Sequence, residues 1–592
     1  MKNTQMLQSI SVVLCFLFLL GAVTMSCSSK KEQQLPTIGK SVALFDYFSY
    51  KGNDDFYIAN PLSGEDYFYN PILPGWYSDP SICTNGRGDY FLVTSTFTYY
   101  PGVPIFHSRD LVNWKQIGHV LNRASQLVNM EGQNVSGGIF APAISYNPHN
   151  KTYYMVTTNV GAGNFFVKTQ DPFGEWSEPI MLPEVGGIDP SFFFDEDGKA
   201  YIVNNDEAPD NKPEYSGHRT IRIQEFDVKT DKTIGPRKIL VNKGAQPEDK
   251  PIWIEGPHLY KMNGRYFLMS AEGGTGNWHS EVIFSGDSPM GKFLPWKNNP
   301  ILTQRHLNSD RPNLVTCAGH ADLIQAKEGD WWAVFLACRP INNQFENLGR
   351  ETFLMPVKWS EDGFPYMTQE DDLVPMIVKR TGVKRDTTVT YGNFESIDNF
   401  DSHILDMSWM TLRTSASDLY SLSETPGYLT LKCADVNATE KKTPAFVCRR
   451  LQHHKFECTT RMLFDPSDGK EMAGMLLFKD ETHQYFFCLS KASENKYISL
   501  KQIGEKEQIL VSDEIDANTN EVYLKLVSQG ISYDFYYSID GEKNWKLLCK
   551  DVDASYLSTA MAGGFTGTIE NRKSRLITML VNPLMSCSAR LP

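Results

Sequence analysis

From about residue 80 to residue 340 the chain repeats one pattern of apolar and polar positions: a short apolar run, a polar turn, then an aromatic-rich apolar run. The five segments are DPSICTNGRGDYFLVTS, APAISYNPHNKTYYMVTTN, DPSFFFDEDGKAYIVNN, GPHLYKMNGRYFLMSAEGG and GHADLIQAKEGDWWAVFLACR. Apolar runs of this length broken by NG, DG or EG predict β-hairpins. The first aromatic after each turn is Tyr90, Tyr153, Tyr201, Tyr266 and Trp331, at steps of 63, 48, 65 and 65 residues. A period of that size fits four-stranded propeller blades with insertions, and five of them predict a ring closed around an axis.

The heads of the repeats are in register too. Counting back from those aromatics, Asp79 lies 11 residues before Tyr90, Asp189 12 before Tyr201, Glu255 11 before Tyr266 and His320 11 before Trp331, with Phe140 13 before Tyr153. If the first run of each repeat is the innermost strand of its blade, all five residues face one funnel at one end of the axis. An irregular β-sandwich gives no reason for a special residue at the head of every repeat.

After GRETFLMPVKWSEDGFPYM the pattern stops, a polar and basic stretch follows, and short alternating strands resume as in GYLTLK and SYDFYYSIDGEKNWKLL. These predict an antiparallel sandwich. The reading is therefore all-β: residues 71–375 a five-bladed propeller, 376–392 a linker, and 393–592 a C-terminal β-sandwich, with 28–70 a lead-in. Residues 1–27, with Lys2, the apolar run ISVVLCFLFLLGAV and the small residues before Cys27, read as a bacterial lipoprotein signal with Cys27 as the lipidated residue. That predicts an exported protein held at the outer membrane, on its periplasmic or outer side, by an N-terminal lipid.

Composition narrows the function. A net charge of −13 with no basic stripe argues against nucleic acid as a partner. The cysteines after Cys27 include no CxxC, so neither a zinc site nor a dense disulfide frame is expected. Nothing in the pattern specifies an oligomeric state. Aromatic residues at 12% suit strands and sugar-facing surfaces alike.

Asp79, Asp189 and Glu255 hold equivalent places in three repeats. Any one acid before Pro or Gly is a common turn residue, but three in register point to chemistry. Two carboxylates across a glycosidic bond are the minimum needed to hydrolyse it: one activates water, the other delivers a proton to the leaving oxygen. A third carboxylate raises the pKa of that proton donor.

The motifs YSDPSI, GIDPSFFFDEDGKAYIV, WIEGPHLYKMNGRYFLMSAEGGT, AGHADL and LGRETFLMPV, in this order over residues 70–366, resemble those of glycoside hydrolase family 43, five-bladed propeller enzymes that invert the anomeric centre. Downstream, LYSLSETPGYLTLK and RRLQHHKFECTTRMLFD resemble the concanavalin-like jelly roll of its β-xylosidase branch. The resemblance implies Asp79 as general base, Asp189 as pKa modulator and Glu255 as general acid. It also implies Arg350, Phe97 and Thr275 as sugar contacts, and His320 as an axial residue beside a metal, such as structural Ca²⁺, or a water. No cofactor is implied for the chemistry.

In GIFAP, Phe140 stands where xylosidase relatives often carry tryptophan, which leaves the sugar open between β-D-xylose and α-L-arabinofuranose. The expected activity is exo-acting release of such a terminal pentose from plant-polysaccharide oligosaccharides. The alternatives are a mainly arabinofuranosidase activity and a non-catalytic sugar-binding propeller lipoprotein. The segment RRLQHH reads either as a solvated strand face or as a loop closing the pocket mouth.

Overall fold

The computed structural model describes residues 35–386 and 388–568, with the backbone of two further strands, Ile577–Met579 and Met585–Ser588. Cys27 and the signal segment lie outside the described residues.

The five repeats form five antiparallel sheets. Their innermost strands are Ser81–Thr84, Ile139–Asn147, Ile188–Phe194, Glu255–Met262 and Thr316–Gln325, and each pairs with the aromatic-rich strand that follows it. The first four blades continue outward through two further positions, while the fifth has three strands in its sheet. Its outer position is filled from the start of the propeller. Leu73 bridges Thr352, and the Asn70 amide bonds the backbone of Leu354 in both directions, at 2.9 Å each.

A belt of hydrogen bonds joins the innermost strands in ring order. The Ile144 N–H donates to Ser81 Oγ (3.0 Å), Ser145 Oγ to Phe192 O (3.0 Å), Ser191 Oγ to Pro257 O (2.5 Å) and the Tyr260 hydroxyl to Asp322 (2.6 Å). Ser81 Oγ donates to the other oxygen of Asp322 at 2.7 Å, which brings blade five back to blade one. Backbone groups at the crowded axis thus find partners in the neighbouring blade, as buried polar groups must.

The second half is a two-sheet sandwich. One sheet runs, in order, Tyr420–Ser421, Leu429–Lys432, Val42–Gly52, Lys455–Phe464, Glu521–Gln529, Ser532–Ser538 and Lys546–Asp553. Its third strand comes from the lead-in: Val42–Gly52 pairs with Lys455–Phe464 and with Glu395–Asp398. It buries Phe45, Phe48 and Tyr50 among Met462, Phe464 and Leu524. The stretches read as lead-in and linker also meet, because Tyr67–Tyr69 pairs with Ile377–Lys379. An alternating pattern announces a strand but not a partner hundreds of residues away.

The two halves share one core. Trp76, Phe97 and Tyr99 of the propeller pack with Met410, Leu412, Phe446, Phe478 and Phe486 of the sandwich, and Tyr99–Tyr100 pairs with Thr411–Leu412. Each large apolar side chain buried there stabilises the joint by about 1.5–3 kcal/mol.

Candidate active site

Asp79, Asp189, Glu255, His320, Phe97, Phe140, Thr275 and Arg350, each singled out from sequence, line one cavity of about 290 Å³. The local backbone explains why the acids point there. Asp79, Asp189 and His320 share a left-handed conformation, with φ of 54°, 53° and 51°. Pairing is irregular just after the head of each of the four later inner strands, between Phe140 and Ala143, Ile188 and Ser191, Glu255 and His258, and Thr316 and Gly319. A bulge of this kind re-aims a side chain out of the ladder, and backbone strain held by surrounding structure is common at functional sites. In blade four the left-handed residue is Gly256 (φ 55°), where a Cβ would meet the His320 imidazole at 2.8 Å.

The three carboxyls are buried, and their surroundings drive them apart. Burial alone would push Asp79 up. The Arg350 guanidinium at 3.2 Å and a 2.5 Å hydrogen bond from Ser95 Oγ outweigh it and hold Asp79 below the usual carboxylate range. For Glu255, burial and then the charges of Asp189 and Asp79 push the carboxyl well above its ordinary value. Asp189 is pushed up to about 7 by burial and by Asp79, against a 3.1 Å hydrogen bond from the Gly256 N–H. At neutral pH the cavity therefore presents an ionised carboxylate, Asp79, and a carboxylic acid, Glu255, with Asp189 titrating near neutrality between them; the first two are the states that general base and general acid catalysis require.

Phe97 and Phe140 form an aromatic wall, edge to face at 5.8 Å. The third ring of this wall was missed in the sequence. Phe565, from the sandwich, stacks near Phe97 (centroids 6.3 Å apart), meets Phe140 edge-on at 5.7 Å, and takes the Arg350 guanidinium over its face at 5.3 Å. Its carbonyl accepts from Arg350 at 3.3 Å and its N–H donates to Ser136 at 2.9 Å. The segment RRLQHH does not line this cavity. Arg450 instead lies under Trp76 and Tyr77, 4.1 and 4.2 Å from the ring centroids, within the joint between the halves. Trp253 and Ser95 are further site residues that sequence reading passed over.

His320 sits with Nδ1 3.8 Å from Asp79, and burial lowers its pKa to about 4, so it is a neutral imidazole at neutral pH. Below it lies an axial cavity of about 10 Å³, bordered by Ser81, Asp189, Ser191, His258 and His320. That is room for one water-sized body. Calcium takes about six to eight oxygen ligands. A space for one water-sized body between Asp79, Asp189, Ser81 and Ser191 leaves no room for the waters that would have to complete such a shell, so the cavity does not fit a hydrated Ca²⁺. Among the described residues no cluster of three or more His, Cys, Asp or Glu could hold a metal ion.

A propeller whose axial pocket holds an ionised carboxylate and a protonated one has the makings of a glycosidase. Residues 68–365 match the glycosyl hydrolases family 43, and residues 397–569 match the β-xylosidase C-terminal concanavalin A-like domain. The chain belongs to glycosyl hydrolase family 43. It is 37% identical to a xylosidase/arabinosidase of Butyrivibrio fibrisolvens, over 84% of this chain and 94% of that one. It is 34% identical to a non-reducing end α-L-arabinofuranosidase of Bacteroides ovatus, over 86% and 92%. A crystal structure of a GH43_12 protein from capybara gut metagenome superposes with a TM-score of 0.83 at 41% identity, covering 92% of this chain and 99% of that one.

Proposed function

We propose that the protein is an exo-acting, inverting glycosidase that removes a terminal pentose, β-D-xylose or α-L-arabinofuranose, from plant-polysaccharide oligosaccharides. The observation that carries this reading is the pocket itself: about 290 Å³, walled by Phe97, Phe140 and Phe565, with acids of divided protonation on its floor. That volume lies at the small end for ligand sites and suits one sugar ring. The names of the two relatives support either pentose.

In this reading Asp79 takes a proton from the attacking water, held in place by Arg350 and Ser95. Glu255 gives its proton to the glycosidic oxygen as the bond breaks, and Asp189 keeps Glu255 protonated until then. Water is the only co-reactant, and no cofactor enters. In the same reading Arg350 and Thr275, which line the cavity, contact sugar hydroxyls, and the aromatic wall packs on the ring's apolar face. A pure binding module has no use for a buried acid kept protonated.

The test is incubation with aryl pentosides and defined oligosaccharides while NMR follows the first anomer formed. A single pentose released from the non-reducing end with inverted configuration is expected. Retention of configuration, or internal cleavage, would refute the reading.

Asp189→Asn tests the electrostatics. Glu255 works protonated, so activity falls as pH rises through its pKa. Removing the Asp189 charge lowers that pKa, and the basic limb of the kcat/KM profile should move to lower pH. The acidic limb, set by Asp79, should not move upward. A basic limb that stays in place would assign Asp189 to another task.

A further inference from the structure

The rim beside Glu255 carries apolar side chains that the fold leaves in water. Trp253 lines the cavity and is 40% exposed, its neighbour Ile252 is 42% exposed, and Trp278 is 71% exposed. The loop over residues 273–278 lies against this pair. The Gly273 N–H donates to Ile252 O at 2.9 Å, and a Cβ on Gly273 would lie 2.1 Å from Trp278 O. Large exposed apolar groups gathered at a pocket mouth mark an interaction surface.

Trp253 is also held in a costly way. Its φ is 52°, the left-handed region that bulky residues avoid. The Trp253 N–H donates to Gly217 O at 2.8 Å. The Arg219 guanidinium lies over the indole, 4.8 Å from the ring centroid. Arg219 is itself pinned by Asn205 Oδ1, at 2.9 and 3.2 Å, and by Glu207. Ile254, between Trp253 and Glu255, is fully buried. Trp253 and Glu255, on either side of it in sequence, both line the cavity. A proton leaving Glu255 must meet the glycosidic oxygen, so whatever departs with that oxygen starts beside the Trp253 ring.

We infer that Trp253, backed by Arg219, is the stacking platform for the first sugar on the leaving-group side, and that Trp278 extends it outward to the next. The occupant is the pyranose chain of an oligosaccharide, whose apolar ring faces match an indole. This rests on the glycosidase reading above and adds a preference to it: longer chains are favoured over small aglycones.

The experiment compares kcat/KM on a glycosyl fluoride, which has no leaving-group sugar, with that on a disaccharide and a tetrasaccharide of the same pentose series. For Trp253→Ala the ratio of disaccharide to fluoride should fall about tenfold, and Trp253→Phe should recover most of it. For Trp278→Ala the ratio of tetrasaccharide to disaccharide should fall while that of disaccharide to fluoride holds. An unchanged ratio in Trp253→Ala, or a Trp253→Phe as impaired as the alanine variant, overturns the platform. Wild-type protein inert toward fluoride and oligosaccharide alike would instead overturn the glycosidase reading.

Discussion

Asp79→Asn should lower kcat on oligosaccharides by about two to four orders of magnitude, the usual weight of a lost general base. The amide matches the carboxylate in shape; its one oxygen can still accept from Arg350, and its NH2 can donate to the Ser95 hydroxyl. It cannot take a proton from water. Product binding followed by calorimetry should persist, and far-ultraviolet circular dichroism should match the wild type. Because Arg350 would lose a buried ionic partner, some drop in melting temperature is expected as well. A variant that keeps near-normal turnover on natural oligosaccharides would remove Asp79 from the role of base.

Glu255→Gln should give a loss of similar size that depends on the leaving group. A sugar alkoxide is a poor leaving group and needs the proton, so hydrolysis of oligosaccharides should fall by about two to four orders of magnitude. A dinitrophenolate needs almost none, so the activated aryl pentoside should lose far less. The basic limb of the pH profile should also disappear on the activated substrate, since Glu255 protonation no longer limits it. Equal losses on both substrates would assign Glu255 to positioning.

The propeller and its acids were legible in the sequence for one reason: both recur. A repeat that returns five times declares its own register, and within that register Asp79, Asp189 and Glu255 stand at matching places without any knowledge of their contacts. The strand Val42–Gly52 and the ring Phe565 have no such echo. Each works through a partner far along the chain, Lys455–Phe464 for the strand and Phe97 for the ring, and local pattern does not encode such distances. The arginines of RRLQHH looked like surface charge because a guanidinium's burial depends on which aromatic faces reach it, here Trp76 and Tyr77. Trp253 did leave a signal, a tryptophan two residues ahead of the candidate acid in WIEGPH. Both line the cavity while Ile254 between them is buried, and that gives the spacing its meaning.

The central position of Val42–Gly52 bears on how the protein is made. This eleven-residue strand is made before the propeller, and its pairing partners, Glu395–Asp398, Leu429–Lys432 and Lys455–Phe464, follow roughly 340 to 420 residues later. At about 5–20 residues per second, it waits on the order of 20–80 s as an unpaired edge, the kind of segment that invites association with other chains. The sandwich made alone from residue 393 lacks an interior strand, and a chain cut short at the end of the propeller keeps that strand without its partners. A cut at the boundary between propeller and sandwich therefore separates Val42–Gly52 from the strands it pairs with.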